Sequence, residues 1–158
     1  MEPVKNKGNR IINSQKCSNV TIVLMSRWHG FNRCKSRLSK DLGPVKAAKI
    51  QEKLTLHTIA VAKRIKNENL AEVKIAIDGV GIKAAKRWAS LYGIERVVSQ
   101  GAGNLGTKMR RQFLKTHSEK YSSCKISNSI IIIGTDLPSI SHVDLKQAIE
   151  ILNYKEMV

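Results

Sequence analysis

The sequence is poor in aromatic residues and in cysteine. Phe, Trp and Tyr together make up 4% of its 158 residues, whereas proteins that bind single-stranded nucleic acid usually stack bases on several aromatic side chains. The three cysteines, Cys17, Cys34 and Cys124, form neither a CxxC pair nor a dense framework. This usage favours a reduced, cytoplasmic protein over a disulfide-rich secreted one.

Long apolar runs are also absent. No run approaches the roughly 18 apolar residues of a membrane-spanning helix, and residues 1–19 contain no apolar signal core. Those first residues carry basic side chains among Asn, Ser and Gly, which predicts a flexible basic arm. Residues 20–158 then have the length of a single domain, and a chain that is 42% apolar can form a core.

Acidic side chains are the third scarce class. There are 12 of them against 28 basic ones, so the net charge is +16. Such a protein favours anionic partners, and nucleotides, nucleic acids and acidic membranes all meet that description. Charge alone therefore does not choose among them.

What the sequence does contain is an alternation of apolar strands and amphipathic helices. Strand patterns lie near residues 20–25, 73–77, 94–98 and 129–134, with helical patterns between them. The alternation predicts a three-layer α/β fold, in which a mostly parallel sheet lies between two layers of helices. Ile130–Ile133 shows no polar alternation, which predicts a strand buried on both faces.

The helical patterns also predict which residues face the core and where helices begin. Pro44 marks the start of the first long helix, and Trp88 lies beside the buried face of the next. Ser141 and Asp144 form a capping-box pattern at the start of the last helix. In the helix before the fourth strand, apolar spacing predicts an inner stripe of Leu105, Met109, Phe113 and His117.

Three loops follow strands and meet at the carboxyl edge of the predicted sheet, where open α/β sheets bind ligands. The first, residues 26–38, combines a glycine with cations that suit phosphate oxygens: Arg27, Gly30, Arg33, Lys35 and Arg37. It lacks the glycines of a Walker loop. A solvated basic loop is the alternative interpretation.

The second loop, residues 101–106, matches G-x-G-x-x-G between a strand and a helix. It follows the third strand rather than the first, and no acidic residue ends a following strand about 20 positions on, which argues against a Rossmann dehydrogenase. A glycine-rich turn that opens a helix can still hold an anion or approach a nucleotide closely. The candidates are Gly103, Asn104, Leu105 and Gly106.

The third loop, Gly134–Pro138, presents Asp136 directly after the isoleucine strand, and Asp78 follows the second strand in the same way. We therefore interpret Asp136 as the candidate catalytic residue and Asp78 as a candidate nucleotide-binding residue. A simple turn cap is the alternative for Asp136.

Motifs from the three loops together resemble a known family. Residues 35–38, 103–109 and 133–138 look, in order and spacing, like the glycosyltransferase-like family associated with radical-SAM and selenoprotein domains. That family belongs to the GT-A superfamily and is distantly similar to molybdenum-cofactor and 2-phospholactate guanylyltransferases. Together with right-handed crossovers, the resemblance implies strand order 3-2-1-4.

The same resemblance implies a transferase with a nucleotide-sugar or nucleoside triphosphate donor. Lys35 and Arg37 would contact its phosphates, the loop around Asn104 its nucleoside, and Asp136 a Mg²⁺ or Mn²⁺ ion. The family usually has Asp where this chain has Asn104, and it continues into a glycine-rich segment. We therefore expect a domain that is incomplete at its C-terminus and that either self-associates through an open sheet edge or is marginally stable.

Two other functions stay open at this point. Nucleotidyl transfer is the alternative within the enzyme class, because it needs the same metal-bound phosphates. A catalytically inert basic domain that binds nucleic acid or a protein partner is the alternative outside it.

Overall fold

A computed structural model describes residues 19–30, 35–124, 129–152 and 154, with the side chains of 120–124 left out. The arm predicted for residues 1–19 and the candidate Arg33 lie outside this part of the chain, except for residue 19. The elements in chain order are β1 Val20–Arg27, α1 Ser36–Leu42, α2 Pro44–Asn67, β2 Glu72–Asp78, α3 Ile82–Ser90, β3 Arg96–Ser99, α4 Leu105–Cys124, β4 Ser129–Gly134 and α5 His142–Leu152. Helix α1 was not predicted.

The four strands form one parallel sheet in the order β3-β2-β1-β4. Strand β1 lies inside it, with Thr21 opposite Glu72 of β2 and Ile130 of β4. The α/β class, the strand order and the pairing of the isoleucine strand with the first strand are confirmed. Parallel pairing brings the carboxyl ends of all four strands to one edge.

The expectation that Ile130–Ile133 is buried on both faces is wrong. These residues are half-buried, because β4 pairs only with β1 in the described ranges and lies at an edge of the sheet. The strands with fully buried side chains are β1 and β2, for example at Ile22, Leu24 and Ile75.

The larger apolar core lies on one face of the sheet, where α2, α3 and α5 pack. Trp88 of α3 is 9% exposed and belongs to this core, as predicted. At the start of α5, Ser141 N–H donates to Asp144 Oδ2 at 2.8 Å, which confirms the capping box. The hydrogen bonds from Ser141 lower the pKa of Asp144. In the described ranges, no helix combines the length and apolar character that a membrane crossing requires.

Helix α4 covers the other face with polar side chains. Lys74 of β2 is 1% exposed, and its Nζ donates to Glu119 Oε2 at 2.9 Å and to Thr116 Oγ1 at 3.4 Å. Gln112 of α4 is fully buried on the same side. The predicted inner stripe is therefore wrong: three of its members are exposed, at 65% for Leu105, 39% for Met109 and 46% for Phe113.

Removal of the Glu119 carboxylate should destabilise the fold, because it leaves a buried ammonium on Lys74 without its counter-ion. We expect Glu119→Ala to lower the free energy of unfolding by about 3 kcal/mol in urea denaturation. Glu95→Ala is the control, since Glu95 is exposed, and should cost under about 0.5 kcal/mol. Adding Lys74→Met to Glu119→Ala should recover most of the loss, and failure to do so would contradict this account.

Candidate functional site

A cavity of about 410 Å³ opens at the carboxyl edge of the sheet, where α4 begins. This volume falls within the usual range for small-molecule sites, and its position is the one at which open α/β sheets bind ligands. It is lined by Met25, Ser26, Arg27, Gln51, Asp78, Gln100, Gly103, Asn104, Leu105, Lys108, Gly134, Thr135 and Asp136.

Asp136 lies at the end of β4 and forms an ion pair with Lys35. Lys35 Nζ is 3.0 Å from Asp136 Oδ1, and the lysine side chain is 20% exposed while the aspartate side chain is 62% exposed. Lys35 has φ 48° and ψ 49°, a left-handed conformation that costs a non-glycine residue energy. Lys35 occupies the N-cap position of α1, which begins at Ser36. The Lys35 ammonium therefore lies beside the Asp136 carboxylate at the end of β4.

A cluster of buried hydroxyl groups supports the turn that carries Asp136. Thr135 Oγ1 donates to Ser26 Oγ at 3.2 Å, and Thr55 Oγ1 of α2 lies 3.3 Å from both of these oxygens. Gln51 Nε2 donates to Thr55 at 3.3 Å. These contacts join β1, α2 and the loop after β4. The sequence analysis missed the cluster, and its only local signal is Thr135 beside Asp136.

A second ion pair forms one wall of the cavity. Lys108 Nζ lies 2.8 Å from Asp78 Oδ2, and the lysine side chain is 14% exposed. Arg27 Nε is 4.0 Å from the same oxygen, but its side chain is 61% exposed, so this contact is weak. Lys108 lies within the 103–109 motif, but the sequence alone assigns it no role. Its partner lies 30 residues away in sequence, and no local pattern indicates that contact.

The glycine-rich loop turns sharply into α4. Gly101 has φ 76° and Gly103 has φ 113°, which are values that favour glycine. Arg111 donates to the carbonyls of Gln100, at 2.5 Å, and Ala102, at 2.8 Å. The carbonyls of Gln100 and Ala102 therefore already accept hydrogen bonds from a cation of the protein.

Asn104 serves as the N-cap of α4. Its Oδ1 accepts from Thr107 N–H at 2.9 Å and from Thr107 Oγ1 at 3.0 Å. The cap leaves Leu105 exposed at the cavity wall, and Gly106 lies in the first turn of the helix. The loop around Asn104 thus borders the cavity, while the carboxamide oxygen is already engaged.

The structure brings most of the predicted site residues together. Those that line the cavity are Arg27, Asp78, Gly103, Asn104, Leu105 and Asp136, and Lys35 reaches it through its ion pair. Gly30 is half-buried and lies outside the lining. Arg37 is exposed on α1, and it also lies outside the lining. The roles assigned to all these residues remain predictions.

The carboxylates of this site are too few to form a metal centre alone. Within the described ranges, no three His, Cys, Asp or Glu side chains lie close enough to hold an ion together. Mg²⁺, however, is commonly bound by one or two carboxylates together with substrate phosphates and water. Asp136 fits that role, because its side chain is 62% exposed at the cavity and its ionic partner, Lys35, can instead contact phosphate oxygens.

Substitution of Gly101 should strain the loop that leads into α4. A Cβ there would lie 2.7 Å from Arg111 Nη1 while φ stayed at 76°. We expect Gly101→Ala to lower the free energy of unfolding by about 1–2 kcal/mol in urea denaturation. Gly81→Ala is the matched control, because its φ is −66° and its Cβ would enter open space. Equal stability of the two variants would contradict this account.

Comparison with solved structures supports the fold. The chain matches the crystal structure of a "putative nucleotide-diphospho-sugar transferase" from Desulfovibrio desulfuricans G20, with a TM-score of 0.66 and 17% identity over 86% of this chain. The match covers 55% of that protein, so the present chain spans about half its length. At this identity the likeness shows a shared fold, which agrees with the expected GT-A-like architecture. No curated protein matches the chain.

Comparison with family models identifies the protein family of the chain. Residues 60–158, more than half of the chain, match the model described as "Uncharacterized protein conserved in bacteria (DUF2064)". The matched part contains β2, β3, β4 and the glycine-rich loop, together with both aspartates of the cavity. The chain belongs to the DUF2064 family.

Proposed function

We propose that the cavity binds a nucleotide-diphospho-sugar donor with a divalent metal ion, and that the chain is a glycosyltransferase-like transferase. The observation that carries the proposal is the pair at the end of β4, with Lys35 Nζ 3.0 Å from Asp136 Oδ1. A metal-bound diphosphate needs one carboxylate for the ion and one cation for the phosphate oxygens. The solved structure that shares this fold is described as a transferase of that class, which supports the same ligand.

The ion pair is suited to an exchange of partners. Without ligand, Asp136 and Lys35 neutralise each other. With a donor in the cavity, Asp136 would contact Mg²⁺ or Mn²⁺ and Lys35 would contact phosphate oxygens, so neither charge is left unpaired. A bound divalent ion supplies stabilisation of negative charge on the leaving nucleoside diphosphate.

The two side chains should affect nucleoside diphosphate binding in different ways. Lys35→Ala removes a phosphate contact and should weaken binding about tenfold or more, with or without Mg²⁺. Asp136→Asn removes the metal ligand and also a negative charge beside the phosphates. It should abolish the gain from Mg²⁺ and leave Mg²⁺-free binding equal or tighter. Calorimetric titration measures both effects.

Lys40→Ala is the matched control, because it removes an exposed lysine from α1 and should leave affinity unchanged. The same proteins can be assayed for release of nucleoside diphosphate from nucleotide sugars, which Asp136→Asn should lose. The proposal would be contradicted if Mg²⁺ strengthened binding equally in Asp136→Asn. Tight, salt-sensitive binding of nucleic acid in place of nucleotides would favour the basic-domain alternative.

The cavity also suggests where the base of the donor lies. Neighbouring strands lie about 4.8 Å apart, so the end of β2 is about 10 Å from the end of β4, a separation that a nucleoside can span. With the diphosphate beside Asp136, the base would reach Asp78 and Lys108. A carboxylate only accepts hydrogen bonds and an ammonium only donates them. That pair can bind any base edge with a donor next to an acceptor, such as the ring N–H and carbonyl of uracil or the amino group and ring nitrogen of cytosine.

We therefore expect Asp78→Ala to weaken binding of UDP about tenfold, because it removes one acceptor for the base and leaves the Lys108 ammonium without its partner. Inorganic pyrophosphate has no base, so its affinity should not fall in the same variant. Asp41→Ala, at an exposed site on α1, is the control and should leave both affinities unchanged. Undiminished binding of UDP by Asp78→Ala would refute this placement of the base and leave the donor proposal intact.

A further inference from the structure

Two glutamines line the cavity, and both are almost completely buried. Gln51 of α2 is 3% exposed, and Gln100, which follows β3, is 6% exposed. A carboxamide carries one carbonyl oxygen and two N–H hydrogens, and a buried one is stable only when these groups find partners. The two glutamines differ in how many of these groups the protein itself engages.

Gln100 uses both of its N–H hydrogens within the protein. Its Nε2 donates to the carbonyl of Ser26 and to the carbonyl of Ala76, at 2.9 Å in each case. The side chain therefore joins the ends of β1 and β2 to the loop after β3. Because both hydrogens are engaged, Gln100 has no side-chain donor to offer a ligand.

Gln51 retains one N–H hydrogen and its carbonyl oxygen. Its Nε2 donates to Thr55 Oγ1 at 3.3 Å, which uses one hydrogen. Among the residues that the structure describes, nothing else bonds to this carboxamide, and its Oε1 is not enclosed by protein atoms. Since Gln51 lines the cavity and is otherwise buried, the cavity is where that oxygen is accessible. Gln51 thus presents one donor and one acceptor to the cavity.

Thr55 fixes the orientation of this carboxamide. The Thr55 hydroxyl donates to the main-chain carbonyl of Gln51 at 2.9 Å, so its oxygen is left to accept from Nε2. A reversed carboxamide would place Oε1 against a hydroxyl oxygen whose one hydrogen is already used. Thr55 also lies 3.3 Å from Thr135 Oγ1, so Gln51 is anchored at the turn that carries Asp136.

The free groups of Gln51 suit one part of a nucleotide sugar better than the others. A phosphate oxygen only accepts hydrogen bonds, so it would use the N–H but would lie against the lone pairs of the carbonyl. Sugar hydroxyls both donate and accept, and two neighbouring hydroxyls can engage both groups of one carboxamide. The chemistry of Gln51 therefore matches a sugar rather than a phosphate.

We propose that Gln51 binds hydroxyl groups of the transferred sugar, a role that rests on the proposed function of the cavity. In that function the diphosphate lies beside Asp136, and the base lies toward Asp78 at the end of β2. Gln51 is anchored on the other side, beside Thr135, where β1 and β4 end. The sugar is attached to the diphosphate at the end remote from the base, which brings it to Gln51.

The affinity for nucleotide sugars, compared with that for their diphosphates, tests the proposal. Calorimetric titrations of the full chain with Mg²⁺ use UDP-glucose, UDP-N-acetylglucosamine, GDP-mannose and ADP-glucose, each beside its own nucleoside diphosphate. Gln51→Met removes both free groups at similar length. It should weaken the best-bound nucleotide sugar about tenfold and leave the matching diphosphate unchanged. A nucleotide sugar that lacks the contacted hydroxyl should bind equally to both proteins.

Gln147→Met is the matched control, because it makes the same substitution at an exposed position of α5 and should change neither affinity. Circular dichroism checks that both variants are folded. An equal loss of nucleotide sugar and diphosphate in Gln51→Met would assign Gln51 to the nucleotide or to support of the turn, and would overturn the sugar contact. Undiminished binding of every nucleotide sugar would overturn it as well. In both cases diphosphate binding by the unsubstituted chain would keep the donor proposal, whereas its absence would refute both.

Discussion

The buried ammonium of Lys74 determines how α4 lies on the sheet. A lysine that is 1% exposed must have polar partners, and α4 supplies them by turning Thr116 and Glu119 inward. The same orientation of α4 brings Lys108 to Asp78 at the cavity wall and leaves Met109 and Phe113 exposed. The orientation that satisfies Lys74 thus also determines which α4 side chains reach the cavity and which face solvent.

Much of the fold follows from sequence periodicity, because alternating strands and helices leave few ways to build a parallel sheet. The two wrong predictions, the inner stripe of α4 and the burial of β4 on both faces, each relied on the apolar pattern of a single segment. Spacing of apolar residues predicted that Phe113 faces inward, but it assumed that the sheet presents only apolar side chains to α4. Lys74, which lies between the apolar residues Val73 and Ile75 of β2, reverses that preference. The isoleucine run of β4 indicates apolar surroundings, but it does not distinguish a fully buried interior strand from a half-buried strand at an edge of the described sheet.

The candidate site was predictable where single residues end strands, as at Asp78 and Asp136. Topology places those positions at one edge, whatever the rest of the chain does. Contacts between distant residues were not predictable in the same way. Thr55 meets Thr135 across 80 positions, and Lys108 meets Asp78 across 30. Such contacts depend on how the helices pack on the sheet, and no local sequence pattern indicates that packing.

At Asn104, the charge beside the cavity can change while the capping of α4 is preserved. An N-cap needs one side-chain oxygen to accept from the first turn, and Asn and Asp supply it about equally well. Exchange between them therefore preserves the start of α4, where Thr107 is held, and alters the charge beside the cavity by one unit. At this position evolution can adjust the electrostatic potential of the ligand site without disturbing the geometry of its walls.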